Sequence, residues 1–136
     1  MSREIKFRAW VKKEKEMTKV LALETRDYAT LNVLYNDNSK CTLGMFAVEI
    51  MQYTGLKDKN GKEIFEGDIV KILKLEGYGE YCDQVECTGK IECYISELRI
   101  QPLNLRLSDE SIVEIEVVGN IYENKNLLEE NKWNMC

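Results

Sequence analysis

The chain has 136 residues, of which 44% are hydrophobic and 32% are charged, with a net charge of −5 and no histidine. This length and apolar content predict a single folded domain spanning residues 1–136, and no apolar run approaches the roughly 20 residues of a membrane-spanning helix. The absence of histidine excludes Ser-His-Asp and Cys-His catalysis, histidine general bases and histidine metal ligands.

The first half of the chain has the patterns of successive strands. Apolar and polar residues alternate from 5 to 12, and this period of two predicts a first strand whose odd-numbered residues face the core. Further strands are predicted at 18–23 and 30–35, before turn-forming residues at 36–39. The apolar and β-branched stretch at 45–53 predicts a fourth strand.

Two glycine-containing pairs mark the next turns. Asn60-Gly61 predicts a tight type I′ hairpin turn, because that turn needs positive φ at both central residues and Asn-Gly tolerates this best. Asp58 is expected to accept hydrogen bonds from backbone amides two residues on. In the second pair, Gly67 supplies a backbone conformation closed to other residues, and Asp68 accepts amide hydrogen bonds where the following strand begins.

The second half of the chain alternates less regularly. The glycine-containing and acidic segment 76–89 predicts a loop or a ragged hairpin, and strands are predicted at 91–95 and 98–103. The cleanest alternation in the chain, at 113–117, predicts a strand whose three apolar residues face the core. A short helix is predicted at 125–132.

These elements predict a mainly β fold, as a small, partly open barrel or a two-sheet arrangement with an N-terminal β-meander and a short C-terminal helix. An α+β fold is the alternative. Small β proteins must protect their edge strands, and self-association is a common way to do so. We therefore expect a homo-oligomer.

Three segments resemble the YopX family of phage and prophage proteins: REIKFRAW at 3–10, QYTGLKDKNGKEIFEGDIV at 52–70 and VVGNIYEN at 117–124. The resemblance implies a mainly β, phage-encoded protein. It brings no active site, because the family lacks an established biochemical activity. Since the N-terminus also lacks the apolar segment of a secretory signal, we expect the protein in the cytoplasm of the bacterial host.

The favoured hypothesis is an accessory protein that is not an enzyme and binds an unknown phage or host protein or other macromolecule through loops and a sheet edge. Tyrosine and tryptophan dominate binding surfaces because they combine a large apolar area with a polar tip, and basic side chains contact acidic partners. The candidate contacts are Arg8, Trp10, Lys12, Lys13, Tyr78 and Tyr81.

The charge distribution supports two alternatives. Residues 1–20 hold seven Lys or Arg and three Glu, a local charge of +4 that leaves −9 for the rest of the chain. A basic N-terminal strand and turn of this kind is able to contact nucleic-acid phosphates, although the same charges also suit the wet face of a strand. The acidic segment 76–92 favours instead a decoy that occupies a host nucleic-acid-binding protein.

Other candidate sites have simpler explanations. The carboxylates Glu63, Glu66 and Asp68 are better explained by solvent exposure and local capping than by acid-base catalysis. The five cysteines, in a reducing cytosol, are expected to be free thiols, and their spacing does not match a zinc site. We therefore expect no catalytic residues, metal or cofactor. The cysteines are Cys41, Cys82, Cys87, Cys93 and Cys136.

Overall fold

The computed structural model describes residues 4–26, 29–94, 97–101, 105–107 and 109–127. Within these ranges the chain forms two antiparallel sheets that do not close into a barrel, which confirms the mainly β, two-sheet prediction. Helix in the described ranges is limited to two three-residue 3₁₀ turns, Met45–Ala47 and Gly79–Tyr81, and to residues 126 and 127. The rest of the predicted helix at 125–132 lies outside the described residues.

The strands are numbered in chain order. They are β1 (Phe7–Val11), β2 (Glu16–Glu24), β3 (Thr30–Leu34), β4 (Lys40–Gly44), β5 (Val48–Lys57), β6 (Glu63–Phe65), β7 (Asp68–Glu76), β8 (Asp83–Tyr94), β9 (Glu97–Gln101), β10 (Leu105–Arg106) and β11 (Ile112–Asn120). Their hydrogen-bonded orders are β4-β3-β2-β1-β5-β6 and β10-β9-β8-β7-β11. The chain divides into two compact units, unit 1 (Met1–Tyr53) and unit 2 (Thr54–Cys136).

Unit 1 is built around the pairing of β1 with β2 on one side and β5 on the other. The predicted alternation of β1 is present, since Ala9 and Val11 are buried in a core shared with Leu31, Val33 and Val48. Ile5 was predicted to face this core, but it precedes β1 and is 76% exposed. The strand β4 was not predicted, because its sequence KCTLG offers almost no apolar alternation.

Unit 2 is built around β7, which lies between β8 and β11. β7 alone supplies two fully buried members of the core, Val70 and Ile72, and the other strands pack around them. The buried core residues are Ile64, Val70, Ile72, Cys87, Ile91, Ile100 and Val117. Strands β8 and β11 pair with β7 on its two sides, so its backbone is enclosed within the sheet.

The segment 76–89 was predicted as a loop or a ragged hairpin, and the hairpin is confirmed, since β7 and β8 pair across a loop at 77–82. β8 pairs with β7 in register from Ile69↔Lys90 to Glu76↔Asp83. Gly89 does not mark a turn: it lies in β8, where the absence of a side chain allows close packing. A Cβ at this position would lie 2.5 Å from the Ile100 Cγ2 and 2.8 Å from the Gln101 carbonyl oxygen.

The alternation predicted for β11 is wrong at Val113. Register shifts interrupt the β11–β7 ladder between Ile112 and Glu114, and again between Val117 and Gly119. Val113 is therefore 47% exposed, while Ile112 packs against the core. Such a bulge adds one residue to one strand only, and the period-two pattern of the sequence does not show it.

Candidate functional site

The chain turns between β5 and β6 at the predicted position, but the type I′ assignment is wrong. Gly61 has φ of +80° whereas Asn60 is not among the residues with positive φ. The Gly61 amide donates to the Asp58 carbonyl at 3.0 Å, and the Asp58 amide donates to the Lys62 carbonyl at 2.8 Å. These bonds define a three-residue turn in which a type I turn is followed by a left-handed glycine.

Asp58 is the centre of this turn and is only 7% exposed. Its Oδ1 accepts hydrogen bonds from the amides of Asn60 and Lys62, both at 2.9 Å. Its Oδ2 accepts a third bond at 2.9 Å from the amide of Val117, 59 residues away in β11. Burial acts to raise the pKa of Asp58, but the amide bonds from Val117, Lys62 and Asn60 together outweigh it and lower the pKa.

The same turn covers the edge of β11, which is an outer strand of its sheet. The Lys59 amide donates to the Ile115 carbonyl at 3.0 Å, two residues before the Val117 amide held by Asp58. The Lys59 ammonium lies 3.2 Å from Glu116 and 3.6 Å from Glu114. A hydrogen bond and the charge of Glu116, then the charge of Glu114, raise the pKa of Lys59. The turn thus occupies backbone groups through which another strand would add to the sheet.

Gly67 and Asp68 form a second junction of unit 2. Gly67 has φ of +82°, its amide donates to the Ile91 carbonyl at 2.8 Å, and its carbonyl accepts from the Ile121 amide at 2.9 Å. The Asp68 carboxylate, 1% exposed, accepts from the Phe65 amide at 2.8 Å. These contacts give the two residues a structural role in joining β6, β7, β8 and the segment after β11.

The segment after β11 is held by Asn120 and Asn124. Asn120 Oδ1 accepts hydrogen bonds from the backbone amides of Tyr122 and Glu123 at 3.0 and 2.9 Å. The backbone amide of Asn120 donates to Asn124 Oδ1 at 3.2 Å. Gly119 makes room for this arrangement. A Cβ there would lie 2.6 Å from the Asn124 Oδ1 and 2.9 Å from its Cβ.

We expect Gly119→Ala to lower the free energy of unfolding by about 1–2 kcal/mol, because it displaces the Asn124 side chain and breaks its bond to Asn120. Urea denaturation followed by circular dichroism measures the change. Gly44→Ala is the matched control, since nothing lies within 4 Å of a Cβ at that position. Equal effects of the two substitutions would contradict the close approach of Asn124.

The basic candidates of the N-terminal end do not form one open surface. Arg8 and Trp10 are partly buried within β1, whereas Lys12 and Lys13 are exposed at its end. The Lys12 ammonium is engaged, at 3.4 Å from the Glu49 carboxylate and 3.2 Å from the Phe46 carbonyl oxygen. Part of the basic charge is therefore neutralised inside unit 1.

Tyr78 and Tyr81 lie together in the loop between β7 and β8, residues 77–82, which we call the tyrosine loop. Their side chains are 91% and 85% exposed. The Tyr81 amide donates to the Tyr78 carbonyl at 3.0 Å. Gly77 has φ of +108°, and a Cβ on it would collide with the Tyr81 carbonyl oxygen, so only glycine fits there. The loop therefore has a conformation that requires glycine at residue 77, and both rings are exposed.

Four carboxylates flank these rings, and no Lys or Arg occurs from residue 75 to residue 89. Two of the four are paired, Glu76 with Lys74 at 3.0 Å and Glu86 with Lys71 at 2.9 Å. Glu80 and Asp83 are exposed and have no ion pair within the described part of the chain. The tyrosine loop therefore presents two aromatic rings beside two unneutralised carboxylates.

A depression of about 110 Å³ on unit 2 is lined by Lys59, Lys71, Ile72, Leu73, Glu86, Glu114 and Glu116. Its charged groups pair with one another, Lys59 with the two carboxylates of β11 and Lys71 with Glu86. These pairs stabilise the sheet surface and leave no free charge converging on the depression.

Cys41, Cys82 and Cys93 are free thiols, as predicted, and all three are exposed. Cys87 was also predicted to be a free thiol, and this is wrong, because it is disulfide-bonded. Cys136 lies outside the described residues. Across the described ranges, no three His, Cys, Asp or Glu side chains are grouped to hold a metal ion, and no helix is long and apolar enough to cross a membrane.

Comparison with known proteins connects the chain to one family. The family model described as YopX protein matches residues 6–129. The crystal structure of protein EF1440 from Enterococcus faecalis is similar with a TM-score of 0.64 and 28% identity, covering 93% of this chain and 99% of that one. No curated protein matches the chain.

Proposed function

This chain belongs to the YopX family, and we propose that it acts as a non-catalytic binding module of a phage or prophage in the cytoplasm of a bacterial host. Its contact surface is the tyrosine loop. The residues that mark the resemblance, such as Asp58, Gly67 and Gly119, are committed to contacts within unit 2. The exposed rings of Tyr78 and Tyr81 do not pack in the core of unit 2.

The proposal rests on the exposure of Tyr78 and Tyr81, 91% and 85%, on one turn that the hydrogen bond from the Tyr81 amide to the Tyr78 carbonyl closes. Tyrosine supplies a large contact area at a low cost in side-chain entropy, and binding residues that are positioned in advance lose less freedom on association. Two such rings one turn apart suit the central contacts of a macromolecular interface.

We expect the double substitution Tyr78→Ala/Tyr81→Ala to abolish capture of the partner without changing the free energy of unfolding by more than about 0.5 kcal/mol. The measurement is affinity capture with tagged protein from a lysate of the phage-infected host, alongside urea denaturation. Leu21→Ala is the control, because Leu21 is an apolar residue of unit 1, 50% exposed, that belongs to neither candidate contact surface. Undiminished capture by the tyrosine variant would refute the assignment of the surface.

Binding of single-stranded nucleic acid is the second candidate, and one contact favours it. The hydrogen bond from Lys12 to the Phe46 carbonyl places an exposed aromatic residue beside the basic β1–β2 turn, where Lys13 and Lys15 are exposed. Bases stack on such rings while lysines contact phosphates. Mobility shifts of single-stranded DNA at low salt test this candidate, and an affinity that does not fall with salt ends it.

The homo-oligomer stays a prediction. At Ile115 and Val117 the edge of β11 is occupied by Lys59 and Asp58, and we propose β4, an outer strand of the other sheet, as the edge for self-association. Light scattering on the pure protein measures the mass, and a monomer at all concentrations would exclude self-association.

A further inference from the structure

From the charges around the tyrosine loop we propose that its partner is a basic polypeptide segment, rich in arginine or lysine. This inference rests on the proposed function, since it names the chemistry that the same loop selects. Glu80 and Asp83 are exposed, and they share the loop and the start of β8 with the two rings.

The negative charge around the tyrosine loop favours cationic partners over nucleic acid. The segment from residue 75 to residue 89 holds four carboxylates and no Lys or Arg, and in the described part of the chain the ion pairs of the β7 lysines are with Glu76 and Glu86. Unneutralised carboxylates attract cations and repel phosphates over about a Debye length, near 10 Å at 0.1 M salt. Nucleic acid is therefore disfavoured at this loop.

The rings and the carboxylates together suit a guanidinium or ammonium group. Aromatic faces attract such cations, arginine stacks on them, and a carboxylate accepts two parallel hydrogen bonds from one guanidinium. An apolar partner would instead bury Glu80 and Asp83 without a counter-charge, which costs binding free energy. A basic segment satisfies both the rings and the carboxylates.

Fluorescence anisotropy with defined peptides tests this inference. The probe is a labelled 12-residue peptide that alternates Arg with Gly, and the comparison peptide alternates Glu with Gly. We expect the Arg peptide to bind the full-length protein at low salt and the Glu peptide not to bind. Tyr78→Ala/Tyr81→Ala is expected to weaken binding roughly 4–25-fold, because each cation–π contact is worth roughly 2–5-fold.

The double substitution Glu80→Gln/Asp83→Asn is expected to weaken binding roughly 5-fold or more and to reduce its dependence on salt. Glu110→Gln is the control, because Glu110 is an exposed carboxylate of unit 2 outside the loop. Binding that responds equally to the control would show a diffuse effect of net charge and overturn the inference.

The outcomes separate this inference from the proposed function. If the tyrosine variant loses capture from the lysate but the Arg peptide does not bind wild-type protein, the proposed function stands and the basic partner is excluded. If the tyrosine variant captures as well as wild-type protein, the proposed function itself fails. A mass that rises with concentration and falls in the Glu80→Gln/Asp83→Asn variant would identify a second copy as the occupant, and would overturn a separate basic partner.

Discussion

Asp58→Ala is expected to lower the free energy of unfolding by about 3–4 kcal/mol, among the larger effects of a single substitution in this chain. The substitution removes the acceptor of three amides, those of Val117, Lys62 and Asn60. Hydrogen bonds to a charged group contribute about 1.5–3 kcal/mol each, and the largest share comes from Val117, which is buried and 9% exposed. Lys62 and Asn60 are exposed, so water partly replaces their acceptor.

Asp37→Ala is the matched control for this prediction. Asp37 also accepts from a backbone amide two residues on, that of Ser39 at 2.9 Å, but its turn is exposed and the hydrogen bonds of its carboxylate to Ser39 are local. We expect a loss of less than about 1 kcal/mol by urea denaturation. Equal losses in the two variants would mean that the bond to Val117 adds nothing.

The same carboxylate gives a pH dependence with a definite sign. Because the folded pKa of Asp58 lies below its unfolded value, near 3.9, its stabilisation is fully present above that unfolded value and is lost as the pH falls through the folded pKa. Asp37 and Asp109, whose pKa values are also lowered, contribute in the same direction. The difference between wild-type and Asp58→Asn stability from pH 6 to pH 3 isolates the part due to Asp58.

Gly77→Ala is expected to reduce affinity for the Arg peptide about tenfold, because it forces the tyrosine loop into another conformation. The left-handed φ of +108° disfavours a side chain, and the Cβ collides with the backbone carbonyl of Tyr81, which cannot rotate away as a side chain does. Fluorescence anisotropy measures the affinity, and urea denaturation checks that unit 2 stays folded.

Gly79→Ala separates the effect of a positive φ from the effect of the collision with the Tyr81 carbonyl. Gly79 also has positive φ, +56°, but nothing lies within 4 Å of a Cβ there. We expect a change in affinity of less than about threefold. A non-glycine residue adopts the left-handed backbone conformation with a loss of about 1 kcal/mol, mainly in the free energy of unfolding. A tenfold loss in Gly79→Ala, or none in Gly77→Ala, would contradict the role given to the Tyr81 carbonyl.

Local sequence patterns predicted the strands and hydrogen bonds that depend on residues close together in the chain. Alternation located β1, and the local amide bonds of Asp58 follow from its position before Asn60-Gly61. The bond to Val117 was missed, because it joins residues 59 positions apart and no local pattern marks its partner. The turn type was missed for a related reason: Asn60 tolerates positive φ, but the bonds to Asp58 select a different turn.

Sequence patterns did not predict positions where the same residue type occurs both in packed strands and in exposed loops. Gly89 resembles a loop residue, yet it lies buried in β8 because the Ile100 side chain and the Gln101 backbone occupy the space of a Cβ. Tyr78 and Tyr81 were candidates by residue type alone, and only the structure separates them from partly buried Trp10. The exposure of Phe46 was not predicted, because the apolar and β-branched content of 45–53 assigned the whole segment to a strand.

Asp58, in a segment shared with the YopX family, holds the edge of β11 as part of a structural framework, and we propose that contact is left to the tyrosine loop. The amide of Val117 tests this framework most directly, because its acceptor is the Asp58 carboxylate. Hydrogen exchange measured by nuclear magnetic resonance should show slow exchange of Val117 in wild-type protein. In Asp58→Ala the loss of about 3–4 kcal/mol should accelerate amides that exchange by global unfolding, such as that of Ile72, by roughly 100–1,000-fold. Val117 should accelerate by more than Ile72, because its amide also loses its own acceptor. Fast exchange of Val117 in the wild type, or equal acceleration of both amides, would contradict the account.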